Sequence, residues 1–70
     1  MADVLAHITG TIWKIETQVG ATVASGDVLV IIESMKMEMP VEAPEGGTVK
    51  EVRCKEAQAV AEGDVLIVLG

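Results

Sequence analysis

The stretch Val23-Ala24-Ser25-Gly26-Asp27-Val28-Leu29 decides the fold, because the chain repeats it with one change as Val60-Ala61-Glu62-Gly63-Asp64-Val65-Leu66. In each copy a Gly-Asp pair precedes a run of aliphatic residues. Glycine adopts positive φ without strain, and the Asp side chain hydrogen-bonds to nearby backbone, so the pair predicts a turn that leads into a strand.

The repeat extends well beyond this stretch. At an offset of 37 residues, windows 10–32 and 47–69 share eight identities, and most other apolar positions exchange one aliphatic residue for another. Each copy is too small to bury its own apolar face, so the two copies are expected to pack together about a pseudo-twofold axis. Residues 33–46 are assigned to neither copy.

The Val- and Ile-rich runs predict strands, although residues 55–61 also have good helix propensity. The equivalent residues 18–24 include Gly20, Thr22 and two valines and would form a poor helix, so the repeat favours strands in both copies. Gly20 is matched by Ala57. If Gly20 requires positive φ, the second copy is expected to turn differently.

The composition restricts the chain to one small domain over residues 1–70. It has 70 residues, of which 21 are Val, Ile or Leu, and a stable fold must place nearly all of these in one core. Little apolar surface remains to line a deep pocket. The composition therefore argues against an enzyme with its own closed active site.

Charge and cysteine content exclude further classes of function. The net charge of −6 and the pI near 4.4 disfavour nucleic acid and anionic membrane surfaces as partners, and favour a soluble monomer. No signal peptide or membrane span is expected, because the longest aliphatic runs have five residues. Cys54 and His7 are each the only residue of their kind, which predicts a metal-free cytoplasmic protein in which both have structural or surface roles.

Residues 33–46 carry three of the four methionines within five positions. From Met35 apolar residues alternate with polar ones, with Met35, Met37, Met39, Val41 and Ala43 on one side and Lys36, Glu38 and Glu42 on the other. The preceding strand and this segment predict a hairpin whose tip lies at Met35-Lys36. Lys36 is therefore expected to project into solvent.

An exposed lysine at such a tip is suited to acylation. Its amide with a carboxylic acid is neutral and stable and rotates freely about the methylene groups, which suits a tethered cofactor. An alkylammonium ion is not nucleophilic at neutral pH, so a separate enzyme must activate the acid and orient the amine.

The segment Glu33-Ser34-Met35-Lys36-Met37-Glu38 resembles the attachment motif of biotinyl domains, the biotin carboxyl carrier family, in which Met-Lys-Met surrounds the biotinylated lysine. The resemblance covers nearly the whole chain. It implies an all-β fold, a flattened barrel-sandwich of two four-stranded antiparallel sheets with quasi-twofold symmetry and the attachment lysine on an exposed hairpin. The chain departs from the family at Ala6-His7-Ile8-Thr9-Gly10, where a Pro-Met-Pro-Gly type of sequence is common, and at Ala57, where Gly is usual.

The resemblance also implies a function. Biotin would be bound covalently to Lys36, carboxylated by a biotin carboxylase with bicarbonate and ATP, and discharged by a carboxyltransferase. The chain itself would be a non-catalytic carrier and a substrate of biotin protein ligase, which would recognise Met35 and Met37 and, more weakly, Glu33 and Glu38.

Two alternatives are open. A lipoyl carrier of a 2-oxo acid dehydrogenase or glycine cleavage complex shares the fold, but its lysine usually lies in an Asp-Lys-Ala context. A protein-interaction module without a cofactor would leave Lys36 unmodified. Structural roles are expected for Met39, as core filling, and for Trp13, as a partly buried ring covering the barrel.

Overall fold

The structure is a computed structural model that describes residues 2–70. Its secondary structure over these residues consists of strands joined by turns. The strands are β1 (Ala2–Leu5), β2 (Gly10–Ile15), β3 (Thr22–Val23), β4 (Val28–Ser34), β5 (Met37–Glu42), β6 (Gly47–Val52), β7 (Ala59–Val60) and β8 (Val65–Leu69). The segment that was a candidate helix forms a turn and β7, as the repeat predicts.

The strands form two antiparallel four-stranded sheets, which confirms the predicted fold. The strand order is β1-β8-β6-β3 in one sheet and β5-β4-β2-β7 in the other. The aliphatic residues of both sheets form one core between them. Its fully buried large side chains are Ile12, Leu29, Val30, Ile32, Val49, Leu66, Ile67 and Leu69.

The pseudo-twofold symmetry is visible in the backbone hydrogen bonds that join the halves. Gly26 N–H donates to Ala43 at 2.9 Å, and the equivalent Gly63 N–H donates to Ala6 at 2.9 Å. Within each Gly-Asp turn the aspartate accepts a 2.9 Å hydrogen bond from the backbone three residues earlier, in Asp27 and Asp64 alike. The repeated stretch thus closes its own turn and also binds the other half.

The assignment of residues 33–46 to neither copy is wrong for part of that segment. An offset of 37 places β5 on β1, and β5 pairs with β4 as β1 pairs with β8. Ala43 has the same hydrogen-bond role as Ala6. The sequence comparison missed this relation because an edge strand with one buried face requires only its inward residues, such as Val4 and Val41, to be alike.

The expectation that the two copies turn differently at Gly20 and Ala57 is also wrong. Gly20 has φ of 92° and Ala57 has φ of 69°, so both are left-handed. Each N–H donates to the symmetry-equivalent carbonyl, Gly20 to Val49 at 2.8 Å and Ala57 to Ile12 at 2.7 Å. In the second copy the Gln58 side chain also accepts a 2.9 Å hydrogen bond from Lys55 N–H, which stabilises a turn that disfavours alanine.

The two turns predict stability changes of opposite sign. Ala57→Gly should raise the free energy of unfolding by about 0.5 kcal/mol, because it removes left-handed strain at the cost of a more flexible unfolded chain. Gly20→Ala should lower it by about 1 kcal/mol, since an added Cβ meets no atom within 4 Å and only the φ preference changes. Urea denaturation measures both, and a change of the same sign in both variants would contradict the assignment.

Candidate functional site: the Met35-Lys36 hairpin

The predicted hairpin tip lies between β4 and β5. Ser34 pairs with Met37, which leaves Met35 and Lys36 as a two-residue loop. Both loop residues have positive φ, 53° and 64°, as in a type I′ turn. Such turns match the twist of the flanking strands but favour Asn-Gly, so the strand pairing must hold a Met-Lys pair in this conformation.

The hairpin tip projects into solvent. Lys36 is exposed, and the adjacent Met35 and Met37 are 91% and 62% exposed. Lys36 forms no ion pair within residues 2–70. The ion pairs there are Lys14–Glu16 at 3.6 Å and Arg53–Glu51 at 3.9 Å. The Lys36 amine is therefore accessible to a partner enzyme.

The two faces of the hairpin differ in chemistry. Ser34 and Met37 lie opposite each other on the face that continues the core side of the sheet. Glu33 and Glu38 lie opposite each other on the outer face, and both are exposed. The structure thus places all the predicted recognition residues within six residues of one hairpin, with methionines at the tip and a pair of carboxylates next to it.

The predicted alternation of residues begins later than expected. It holds from Met37 onward, with Met39 half-buried and Val41 and Ala43 buried on the inner side. Met35 lies in the turn and shares no strand face with these residues, because the left-handed pair interrupts the period of two. Met39 lies opposite Ile32 at the margin of the core, which fits its expected filling role.

Trp13, His7 and Cys54 lie outside the hairpin. Trp13 is 47% exposed at the β-bulge between Ile12 and Lys14 of β2. His7 is exposed, whereas Cys54 is buried and lines an open cleft that also contains Arg53 and Asp64. Burial raises the pKa of the Cys54 thiol, which disfavours the reactive thiolate.

Residues 2–70 show neither a metal-binding cluster nor a membrane-spanning helix. These residues contain no cluster of three or more His, Cys, Asp or Glu side chains that could hold a metal ion. Over the same residues no helix is long and apolar enough to cross a membrane.

Comparison with known proteins identifies the family. The family described as "Biotin-requiring enzyme", the biotin/lipoyl family, matches residues 1–69. The chain belongs to this family. Membership confirms the resemblance drawn from the Met-Lys-Met motif.

Two small proteins match this chain over most of their own length. This chain is 44% identical over 64 residues to the biotin/lipoyl attachment protein of Bacillus subtilis (strain 168), and the aligned region covers 91% of this chain and 88% of that protein. It is 37% identical over 68 residues to the biotinylated protein TB7.3 homolog of Mycobacterium leprae (strain TN), covering 97% of this chain and 96% of that protein.

Other relatives are much larger. Pyruvate carboxylase of Bacillus subtilis (strain 168) is 41% identical over 94% of this chain, which spans 6% of that enzyme. The fold matches the Kluyveromyces lactis urea carboxylase with a TM-score of 0.93 and 36% identity, covering 99% of this chain and 6% of that one. These relatives are carboxylases, which favours a biotin carrier over a lipoyl carrier.

The paired carboxylates predict a measurable electrostatic effect. Glu38→Lys should raise the free energy of unfolding by about 0.5 kcal/mol, because an attractive pair replaces two like charges that lie directly opposite each other. Glu42→Lys is the matched control, since Glu42 lies on the same strand opposite Val28. Urea denaturation at low salt should separate the two variants, and the difference should shrink in 1 M NaCl. Equal stability of the two variants at low salt would contradict repulsion between Glu33 and Glu38.

Proposed function

We propose that this chain is the biotin carboxyl carrier of a biotin-dependent carboxylase and that it binds biotin covalently through an amide to Lys36. The observation that carries the proposal is the position of Lys36, exposed at the tip of a two-residue turn between two exposed methionines. When bound, biotin supplies the carrier chemistry, in which a carboxyl group is taken up at one active site and released at another.

The surroundings of Lys36 fit a covalent tether better than a pocket. No residue of the hairpin lines the open cleft near Cys54. The lysine stem has four methylene groups that can rotate freely, so an attached group can reach the active sites of partner enzymes. A short flexible tether of this kind gives effective concentrations of order millimolar.

In this proposal the hairpin has two roles. The Lys36 ammonium group first loses one proton, and the free amine attacks the carboxyl carbon of biotin that biotin protein ligase has activated with ATP. An amide bond forms, the activating group leaves, and the nitrogen loses a second proton and keeps one hydrogen as the amide N–H. Met35 and Met37 are recognised by the ligase, since exposed thioethers adapt to an apolar partner surface. Glu33 and Glu38 add charge recognition.

The remaining partners are a biotin carboxylase and a carboxyltransferase, which supply the catalysis. The chain contributes position alone, as a monomeric carrier, and we place its action in the cytoplasm, where the buried thiol of Cys54 stays reduced. The acceptor of the carboxyl group is chosen by the carboxyltransferase.

Lys36→Ala should abolish biotin loading and leave the fold intact. A residue exposed at a turn contributes about 0.5 kcal/mol or less to stability. The protein is incubated with biotin, ATP and a biotin protein ligase, and its intact mass should rise by one biotinyl group in the native chain and by none in Lys36→Ala. Lys14→Ala is the control, because it removes another exposed lysine and should load fully. Biotin on the Lys36→Ala variant would refute the attachment site.

The two methionines should set the choice of cofactor. Changing Met35 to Asp and Met37 to Ala should lower kcat/KM for biotinylation and allow lipoate ligase to load lipoate, because this creates an Asp-Lys-Ala context at Lys36. Parallel mass measurements with lipoate and a lipoate ligase report the second reaction. An unchanged biotinylation rate would show that the ligase does not recognise these side chains.

A further inference from the structure

Gly10, the first residue of β2, lies unusually close to β4. A Cβ built on Gly10 would lie 2.5 Å from the carbonyl oxygen of Glu33, 2.7 Å from Cγ2 of Ile32 and 3.2 Å from Cβ of Ser34. The first of these atoms belongs to the backbone and cannot move without moving the strand. Only glycine therefore permits this approach of β2 to the end of β4.

This contact lies where the hairpin leaves the body of the sheet. Thr11 pairs with Glu33, and Gly10 precedes Thr11 at the start of β2. Beyond Glu33, β4 continues through Ser34 into the turn, with β5 on its other side. Gly10, the first residue of β2, thus lies beside the end of β4 that leads into the Met35-Lys36 turn.

The internal symmetry provides a comparison for this contact. Gly47 occupies the equivalent place in the second half, where a built Cβ would lie 3.1 Å from the carbonyl oxygen of Gly70 and 3.7 Å from Cβ of Leu69. Relieving that contact would take a shift of a few tenths of an ångström, which is less than the contacts at Gly10 would require. The tighter of the two contacts is therefore that of Gly10, and it involves β4, the strand that leads into the Met35-Lys36 turn.

We propose that Gly10 is a positioning residue for Lys36. Because it lacks a Cβ, β2 packs directly on the last residues of β4 and sets the direction in which the left-handed Met35-Lys36 turn presents the amine. This inference rests on the proposed function, since it concerns the delivery of the amine to the ligase. It adds a determinant that lies outside the attachment motif.

The test compares Gly10→Ala with two controls. Gly47→Ala is the symmetry-matched control, and Ile67→Val is a mild substitution of a buried β8 residue that controls for loss of stability. All variants are made in an Ala57→Gly background and assayed at a temperature where NMR spectra show each chain fully folded. Rates of biotinylation are measured with biotin, ATP and a biotin protein ligase over a range of carrier concentrations, which separates kcat from KM.

We expect Gly10→Ala to lower kcat/KM by about tenfold or more, mainly through kcat, because small displacements of a reacting group have large effects on rate. Its amide resonances should shift at residues 34–37. Gly47→Ala and Ile67→Val should stay within about twofold of the parent, since neither touches the hairpin.

The outcomes separate this inference from the proposed function. A parent chain that is not biotinylated would refute the proposed function itself. If the parent and controls are biotinylated and fully folded Gly10→Ala matches them in kcat, the positioning role is wrong. Failure of Gly10→Ala to fold in this background would also overturn it, because Gly10 would then be needed by the barrel as a whole.

Discussion

Neither half of this chain can bury its aliphatic side chains alone, and the structure depends on the way in which the halves share one core. Strands β1 to β4 and β5 to β8 contribute equivalent residues, and both sheets contain strands from both halves. The Gly-Asp turns join them through reciprocal backbone hydrogen bonds, from Gly26 to Ala43 and from Gly63 to Ala6. The shared core therefore supports a hairpin tip, residues 33–38, that contributes none of the buried core side chains.

The internal symmetry also distinguishes residues that build the core from residues that belong to the candidate site. Residues that pack the core keep their character in both halves, as Leu29 and Leu66 do. The left-handed Met35-Lys36 turn lies outside the two matching windows, 10–32 and 47–69, and there two large exposed methionines and two facing carboxylates accumulate within six residues. Each of these features is unfavourable or neutral for stability. Their concentration beside one exposed amine is what favours a carrier over a purely structural module.

Much of the fold could be predicted from sequence because the repeated Gly-Asp stretch determines both turn chemistry and the pairing of the halves. The hairpin tip could be predicted because a continuous aliphatic run, residues 28–32, precedes it and an alternation of apolar and polar residues follows it. Two relations could not. Ala57 shares the left-handed turn of Gly20 because tertiary hydrogen bonds outweigh the preference of alanine for negative φ. Strand β5 corresponds to β1 although the residues that point outward from the two strands differ. The closeness of Gly10 to Glu33 depends on the spacing of two strands, which no local pattern reports.

The central claim is that one amine, that of Lys36, accepts the cofactor. The most direct test is fragmentation mass spectrometry of the native chain after reaction with biotin, ATP and a biotin protein ligase, which locates the added group among Lys14, Lys36, Lys50 and Lys55. The proposed function predicts a single biotinyl group, wholly on Lys36. A group on another lysine, a distribution over several lysines, or no addition at all would contradict this account.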